Sequence, residues 1–322
     1  MKTVQVVILL FSFLVRSDVS AEWFEKTEFL MGTTVTVELW HLDKELSKTV
    51  ADEVFREIAR IEKLMSPYLP KSELFRINQN AFTKAVQPDA EVFAVIELAL
   101  LFSEKTKGAF DISFASVGHR FNYRNGEKPS ALEIENLKSL IDYRLIILNK
   151  KKKSIRFKRS GIKLDLGGIA KGYAVDKSIE LLQQWGVQHA IVSAGGDSRI
   201  LGDKRGRPWM VGIKNPRAEG AIITIPLQSA AISTSGDYER YFEKEGVRYH
   251  HILNPKTGQS ARSLRSVTII GEEAITTDAL STSVFVMGVQ EGLKLLESMS
   301  GISGILIDHR NKVHYTSDLA EP

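Results

Sequence analysis

Asp278 and Thr282, in the stretch EEAITTDALSTSVFVMG (272–288), stand four residues apart, so on a helix they share a face one turn from each other. A carboxylate and a hydroxyl so placed form a pair of hard oxygens suited to magnesium, which fills the rest of its shell with water and phosphate oxygens. The same residues also suit an ordinary helix start, with Thr276 or Thr277 as cap and Asp278 favouring the positive end. A second group lies in KLDLGGIAKGYAVDKSIELL (163–182), where Gly167 and Gly168 lead into an amphipathic helix whose opening turns hold Lys171 and Gly172. Glycine there costs roughly 1 kcal/mol against alanine. Bare backbone, a positive helix start and Lys171 suit a phosphate with its cation, although close packing of helix on strand would use the same glycines. The spacing is neither a P-loop nor a dinucleotide fingerprint.

Asp165, two residues before the glycine pair, could accept a hydrogen bond from a ligand hydroxyl or ring nitrogen. In YHHILNPKTG (249–258), adjacent His250 and His251 point opposite ways if extended, so at most one faces a given site. A histidine beside a metal-bound phosphate could take the proton of an attacking hydroxyl. Met31, Tyr68 after Pro67, and GAFD (108–111) with Phe110 and Asp111 offer apolar faces and polar edges to a flat aromatic ligand, though each commonly serves core or turn.

The elements that must position these groups follow from periodicity. Residues 28–40 alternate as one strand, with Met31, Thr33, Val35 and Val37 on one side. Val50, Val54, Ile58, Ile61 and Met65 predict a long helix over 44–65, stopped by Pro67 and Pro70, with a short one starting at Ser72 and Glu73. A further helix spans 89–107 and ends at Gly108. Residues 125–160 read as a partly exposed connection into a lysine-rich hairpin. HAIVSA, WMVGIK, AIITIPL and AAISTS are strands, followed by helices over 277–287 and 289–299 and two closing strands. Strands of antiparallel type mixed with layered helices predict an α+β fold. SAGGDS (193–198) and STSGDY (233–238) echo each other, as two tight turns or a trace of duplication.

At 322 residues the chain can bury a full core. Lys2, an apolar run to Val15 and small residues ending at Ala21 predict a signal peptide over 1–21, cut after Ala21, followed by one domain over 22–322. The run is too short for a membrane anchor. Loss of Lys2, Arg16 and Asp18 lowers the net charge from +4 to +3, too even for a nucleic-acid partner. With no cysteine there is neither a lipid-accepting residue, nor a disulfide, nor a thiolate zinc site. The pattern predicts export to the periplasm.

MGTTV, MSPYLPKSEL, GAFD, LDLGGIAKGYAVD, VSAGGD, ISTSGDYERYF, YHHILNPKTG and TTDALSTSVFVMG, in that order over about 28–310, closely resemble the ApbE family of FAD:protein FMN transferases. The resemblance implies an ApbE-like, T-fold-like layered architecture. It also implies magnesium-dependent transfer of FMN from FAD to a threonine or serine hydroxyl of an acceptor protein, with AMP released. On that basis Met31, Tyr68, Ala109, Phe110, Asp111, Asp165, Lys171 and Ile252 contact FAD. Gly168 through its carbonyl, Asp278 and Thr282 hold magnesium, and His251 rather than His250 is the base. The implied partner is the flavoprotein subunit of a membrane electron-transfer complex, through which the enzyme could associate with the inner membrane. FAD pyrophosphatase activity and a non-catalytic exported flavin-binding protein stand as alternatives.

Overall fold

The computed structural model describes residues 22–320, and the expected leader, residues 1–21, lies outside them. Glu22–Leu30 (β1) and Thr33–His41 (β2) pair as an antiparallel hairpin, which corrects the single strand read over 28–40. Met31 and Gly32 both take positive φ, 53° and 72°, and reverse the chain in two residues. Alternation is clear only beyond the turn, over residues 33–37, while Phe29, Leu30 and Met31 form an apolar run into it.

Lys44–Met65 (α1) follows, with the Asp43 carboxylate accepting from the Glu45 and Leu46 amides. Its predicted stripe, Val50, Val54, Ile58, Ile61 and Met65, is buried. Glu73–Asn80 (α2) is capped by the Ser72 hydroxyl, which accepts from Phe75 N at 2.9 Å, and Ala90–Lys105 (α3) ends before Gly108, φ 79°. Ala115–Gly118 (α4) and Ala131–Leu137 (α5) come next. The second lies where an exposed connection was expected, started by a capping box of Ser130 and Glu133. Ile146–Asn149 (β3) and Ser154–Phe157 (β4) form the lysine-rich hairpin.

Ala170–Gln184 (α6) leads to His189–Ala194 (β5) and Asp197–Leu201 (β6). Trp209–Lys214 (β7) and Ala221–Leu227 (β8) pair only with each other, apart from the main sheet. Ala231–Gly236 (β9), Tyr241–Lys244 (β10), Val247–His250 (β11), Leu253–Asn254 (β12), Gln259–Ser260 (β13) and Leu264–Gly271 (β14) follow. Ala274–Met287 (α7), Val289–Glu297 (α8), Ser303–Asp308 (β15) and Val313–Tyr315 (β16) close the chain.

The main sheet has eight strands in the order β1-β2-β5-β6-β9-β14-β15-β16, each pairing antiparallel. Helices α1, α6 and α7 cover it, and Val35, Val37, Leu39, Val192, Val267 and Ile269 join Ile58, Ala174, Leu280 and Phe285 in one core. The fold is α+β, as the strand and helix pattern predicts. Among the described residues no helix is long and apolar enough to cross a membrane.

The two echoing turns lie side by side, because Asp197 of β6 is the register partner of Ser233 on β9. Their acids diverge in use. Asp237 pairs with Arg217 and Arg248, whereas Asp197 faces helix α6.

Candidate active site

Helices α6 and α7 cross so closely that a Cβ on Gly172 would lie 2.2 Å from the Ala274 carbonyl oxygen. This glycine is therefore required by helix packing. Gly168, one turn earlier, is flanked instead by Phe110 and Thr282: a Cβ there would lie 3.2 Å from both the Phe110 ring and the Thr282 hydroxyl. The Gly172 amide, which in a longer helix would bond the Gly168 carbonyl, donates instead to Asp278 Oδ2 at 3.0 Å. That exchange leaves the Gly168 carbonyl uncommitted to the helix, in a residue that itself packs beside the Thr282 side chain.

Lys171 reaches between two acids, 2.5 Å from Asp197 and 3.4 Å from Asp278. Burial works against its charged form, but the two carboxylates outweigh burial and its pKa stands above the ordinary lysine value. Asp278 is 2% exposed, and burial followed by the charge of Asp197 pushes its carboxyl well up, with Lys171 and the Gly172 amide opposing. With both acids ionised, as a bound cation would favour, two carboxylates against one ammonium leave an excess negative charge at the site. Hydroxyls line the approach: Ser235 bonds Ser281 at 2.8 Å and Thr282 at 3.3 Å. Carboxylate, hydroxyl and a free carbonyl are the donors a hard divalent cation takes, and the excess charge is of the sign it would offset.

Helix α7 carries no cap of its own. Asp176 of α6 accepts from the Ala274 and Ile275 amides at 2.9 and 2.8 Å and pairs with Arg199. This borrowed cap starts α7 at Ala274, three residues before the expected Thr277, and sets the rotation that turns Asp278 and Thr282 toward α6.

The two histidines differ as adjacent residues on an extended segment must. His250 is 3% exposed, lies against the Phe285 ring, gives Nε2–H to the Ala261 carbonyl at 2.6 Å and accepts from Ile252 N at Nδ1. Both of its ring nitrogens hold the fold together. His251 is half-buried, and its Nδ1 lies 3.3 Å from the Arg240 carbonyl, a contact that places the proton there and leaves Nε2 with a lone pair. Enclosure by the surrounding chain, with the charges of Arg240 and His250, pushes its pKa down to about 3. The imidazole is neutral at physiological pH.

Asp165 bends back to accept from Gly167 N at 2.7 Å, while its own amide donates to the Ile112 carbonyl, tying the glycine pair to the GAFD segment. Burial raises its carboxyl pKa. Ala109 and Phe110 are anchored through Thr106. The Asp111 carboxylate is taken up by the chain itself, accepting from Ser113 N, Ser113 Oγ and Tyr143 N. Ile252 is buried, Met31 sits in the β1–β2 turn against the core, and the Tyr68 ring is 72% exposed on the side of Asp165 and Arg240.

The structure thus gathers Gly168, Phe110, Lys171, Asp278 and Thr282 into direct contact. It also adds Asp197, Ser235 and Ser281, which the reading for chemistry passed over. SAGGD carried a signal for Asp197, an acid straight after a glycine pair at a strand end. A cavity of about 700 Å3 bounded by Glu38, Lys204 and Trp209 lies elsewhere and holds none of these groups.

The sequence pattern of the ApbE family matches residues 31–306. The chain belongs to the ApbE family. It is 29% identical to the FAD:protein FMN transferase of Treponema pallidum, covering 92% of this chain and 88% of that one. It is 30% identical to the enzyme of the same name from Klebsiella pneumoniae, covering 89% and 90%. The crystal structure of the ApbE protein from Thermotoga maritima superposes with a TM-score of 0.86 at 37% identity, covering 92% of this chain and 98% of that one. The flavin transferase ApbE from Vibrio cholerae gives 0.83 at 27% identity, with the same coverage.

Proposed function

We propose that this ApbE-family transferase moves the FMN half of FAD, with magnesium, onto a threonine or serine hydroxyl of an acceptor protein and releases AMP. The observation that carries the reading is the meeting of Gly168, Lys171, Asp278 and Thr282 at the α6–α7 crossing. Magnesium held by the Asp278 carboxylate, the Thr282 hydroxyl and the Gly168 carbonyl would neutralise charge on the pyrophosphate.

The chain's own residues account for the rest. Asp197 and Asp278 keep Lys171 charged and aimed, and the packed helices fix these groups before substrate arrives, so little reorganisation remains for the transition state. Nε2 of His251 takes the proton of the acceptor hydroxyl as its oxygen bonds the FMN phosphorus. The bond from that phosphorus to the bridging oxygen breaks, and AMP leaves with its electron pair. Tyr68 and the half-buried Met31 offer apolar surface to the rings of FAD, whereas Phe110 is buried against Phe102 and backs the site beside Gly168.

An exported acceptor, such as the flavoprotein subunit of a membrane electron-transfer complex, fits a chain that opens with a signal-like segment, and we place the enzyme in the periplasm. Purified protein incubated with FAD, magnesium and a threonine-containing acceptor peptide, followed by mass measurement, tests the reading. An FMN adduct on the hydroxyl is expected; free FMN and AMP without adduct would assign a pyrophosphatase instead, and intact FAD a binding protein.

A further inference from the structure

Lys171 is already matched by two carboxylates, so an incoming diphosphate needs another counter-charge. Arg240, exposed in GDYER between β9 and β10, lies beside His251 and the β1–β2 turn. Its carbonyl accepts the His251 backbone N–H at 3.1 Å and faces the His251 Nδ1 at 3.3 Å. Its guanidinium reaches the β1–β2 turn, where Nη2 lies 3.4 Å from the point at which a Gly32 side chain would begin. Among the described residues no carboxylate or carbonyl is bonded to that guanidinium, whereas Arg199, Arg217 and Arg248 are each engaged by an aspartate. Its charge nonetheless acts on Asp165, Tyr68, Tyr123 and His251, four groups around the mouth of the site. An exposed guanidinium with all its donors unspent, beside the base and the substrate-facing turn, has the geometry of a phosphate fork.

We propose that Arg240 binds the FMN phosphate of FAD, the phosphate attacked by the acceptor hydroxyl. The assignment rests on the FAD reading above. It distinguishes the two phosphates because one residue does both tasks: the carbonyl that orients His251 belongs to the arginine whose side chain grips the phosphate. Base and attacked phosphorus are thereby held together beside Arg240. In-line displacement then directs AMP away from Arg240.

Binding of FAD, FMN, AMP and riboflavin to the wild type, Arg240→Ala and Arg240→Lys, with magnesium present, tests this. A lost charge-assisted fork predicts about 10- to 100-fold weaker FAD and FMN binding by Arg240→Ala, with AMP and riboflavin nearly unchanged. Arg240→Lys should fall between, and methylguanidinium should restore part of the transfer rate of Arg240→Ala. Unchanged FMN affinity, an equal loss for riboflavin, or a loss confined to AMP overturns the assignment while the FAD reading stands. A wild type that binds no FAD overturns both. Arg240 is exposed, and equal melting temperatures show that the variants fold.

Discussion

Replacing Gly172 by alanine sets two rules against each other. Helix propensity favours the change by about 1 kcal/mol, because alanine is the better helix former. Packing opposes it: the new Cβ would sit 2.2 Å from the Ala274 oxygen, 2.6 Å from its carbonyl carbon and 2.8 Å from Ile275 Cα, all backbone atoms that no rotamer change removes. Restoring ordinary contact requires α6 and α7 to part by about 1 Å or more, and overpacking of this kind costs roughly 1–3 kcal/mol. The same movement stretches the bond from the Gly172 amide to Asp278, now 3.0 Å, and a hydrogen bond to a charged group contributes about 1.5–3 kcal/mol. Net destabilisation of about 2–5 kcal/mol is expected, a large share of the 5–15 kcal/mol that ordinary domains possess. Urea unfolding with and without magnesium and FAD measures it, and the stabilisation given by the two ligands should shrink in the variant. Equal or higher stability with undiminished ligand effect would refute the argument that Gly172 is fixed by the helix crossing.

Asp278→Asn should abolish magnesium-dependent turnover while leaving the melting temperature of the ligand-free protein unchanged or raised, since it removes the excess charge beside Asp197; a large drop in melting temperature would contradict that charge balance. The sign follows from the raised carboxyl: ionised Asp278 is disfavoured in the fold, so ligand-free wild type should lose stability as pH rises above the ordinary carboxylate range, and the variant should lose less. His251→Ala should lower transfer about 10²- to 10⁴-fold with FAD binding retained. His250→Ala should mainly reduce stability through the lost bond to Ala261, and the opposite pattern would exchange the two roles. At saturating magnesium the acid limb of kcat/KM should lie well below pH 6, because burial holds His251 unprotonated down to about 3. A limb near 6.5 that magnesium does not move would indicate an unperturbed histidine.

Asp278 and Thr282 were legible because a four-residue interval fixes a shared helix face whatever surrounds it. The choice of His251 came from the family resemblance, and alternation adds only that its neighbour must face the other way. What stayed hidden depends on distant contacts. The pairing of Lys171 with Asp197 needs the β5–β6 turn brought beside α6, which no local pattern encodes. The early start of α7 is set by Asp176, 98 residues before Ala274. The Met31–Gly32 turn is masked because the apolar run Phe29, Leu30 and Met31 leads straight into the alternating residues 33–37 with only one turn-type residue between, although a glycine with the residue before it in left-handed backbone is a standard hairpin device. Helix α5 was legible in principle, since Ser130 and Glu133 hold the spacing of a capping box.

The cap that α7 borrows from α6 makes the reaction centre indivisible. Its two halves, one entering the sheet layer mid-chain and the other near the end, are tied to each other by the Asp176 cap and by the Gly172 amide on Asp278. A chain that ends before α7 lacks Asp278 and Thr282, two of the three residues proposed to hold magnesium. On that proposal competence is acquired late in synthesis, and a product truncated before α7 would keep six of the eight strands of the main sheet without the acid and hydroxyl that complete the site.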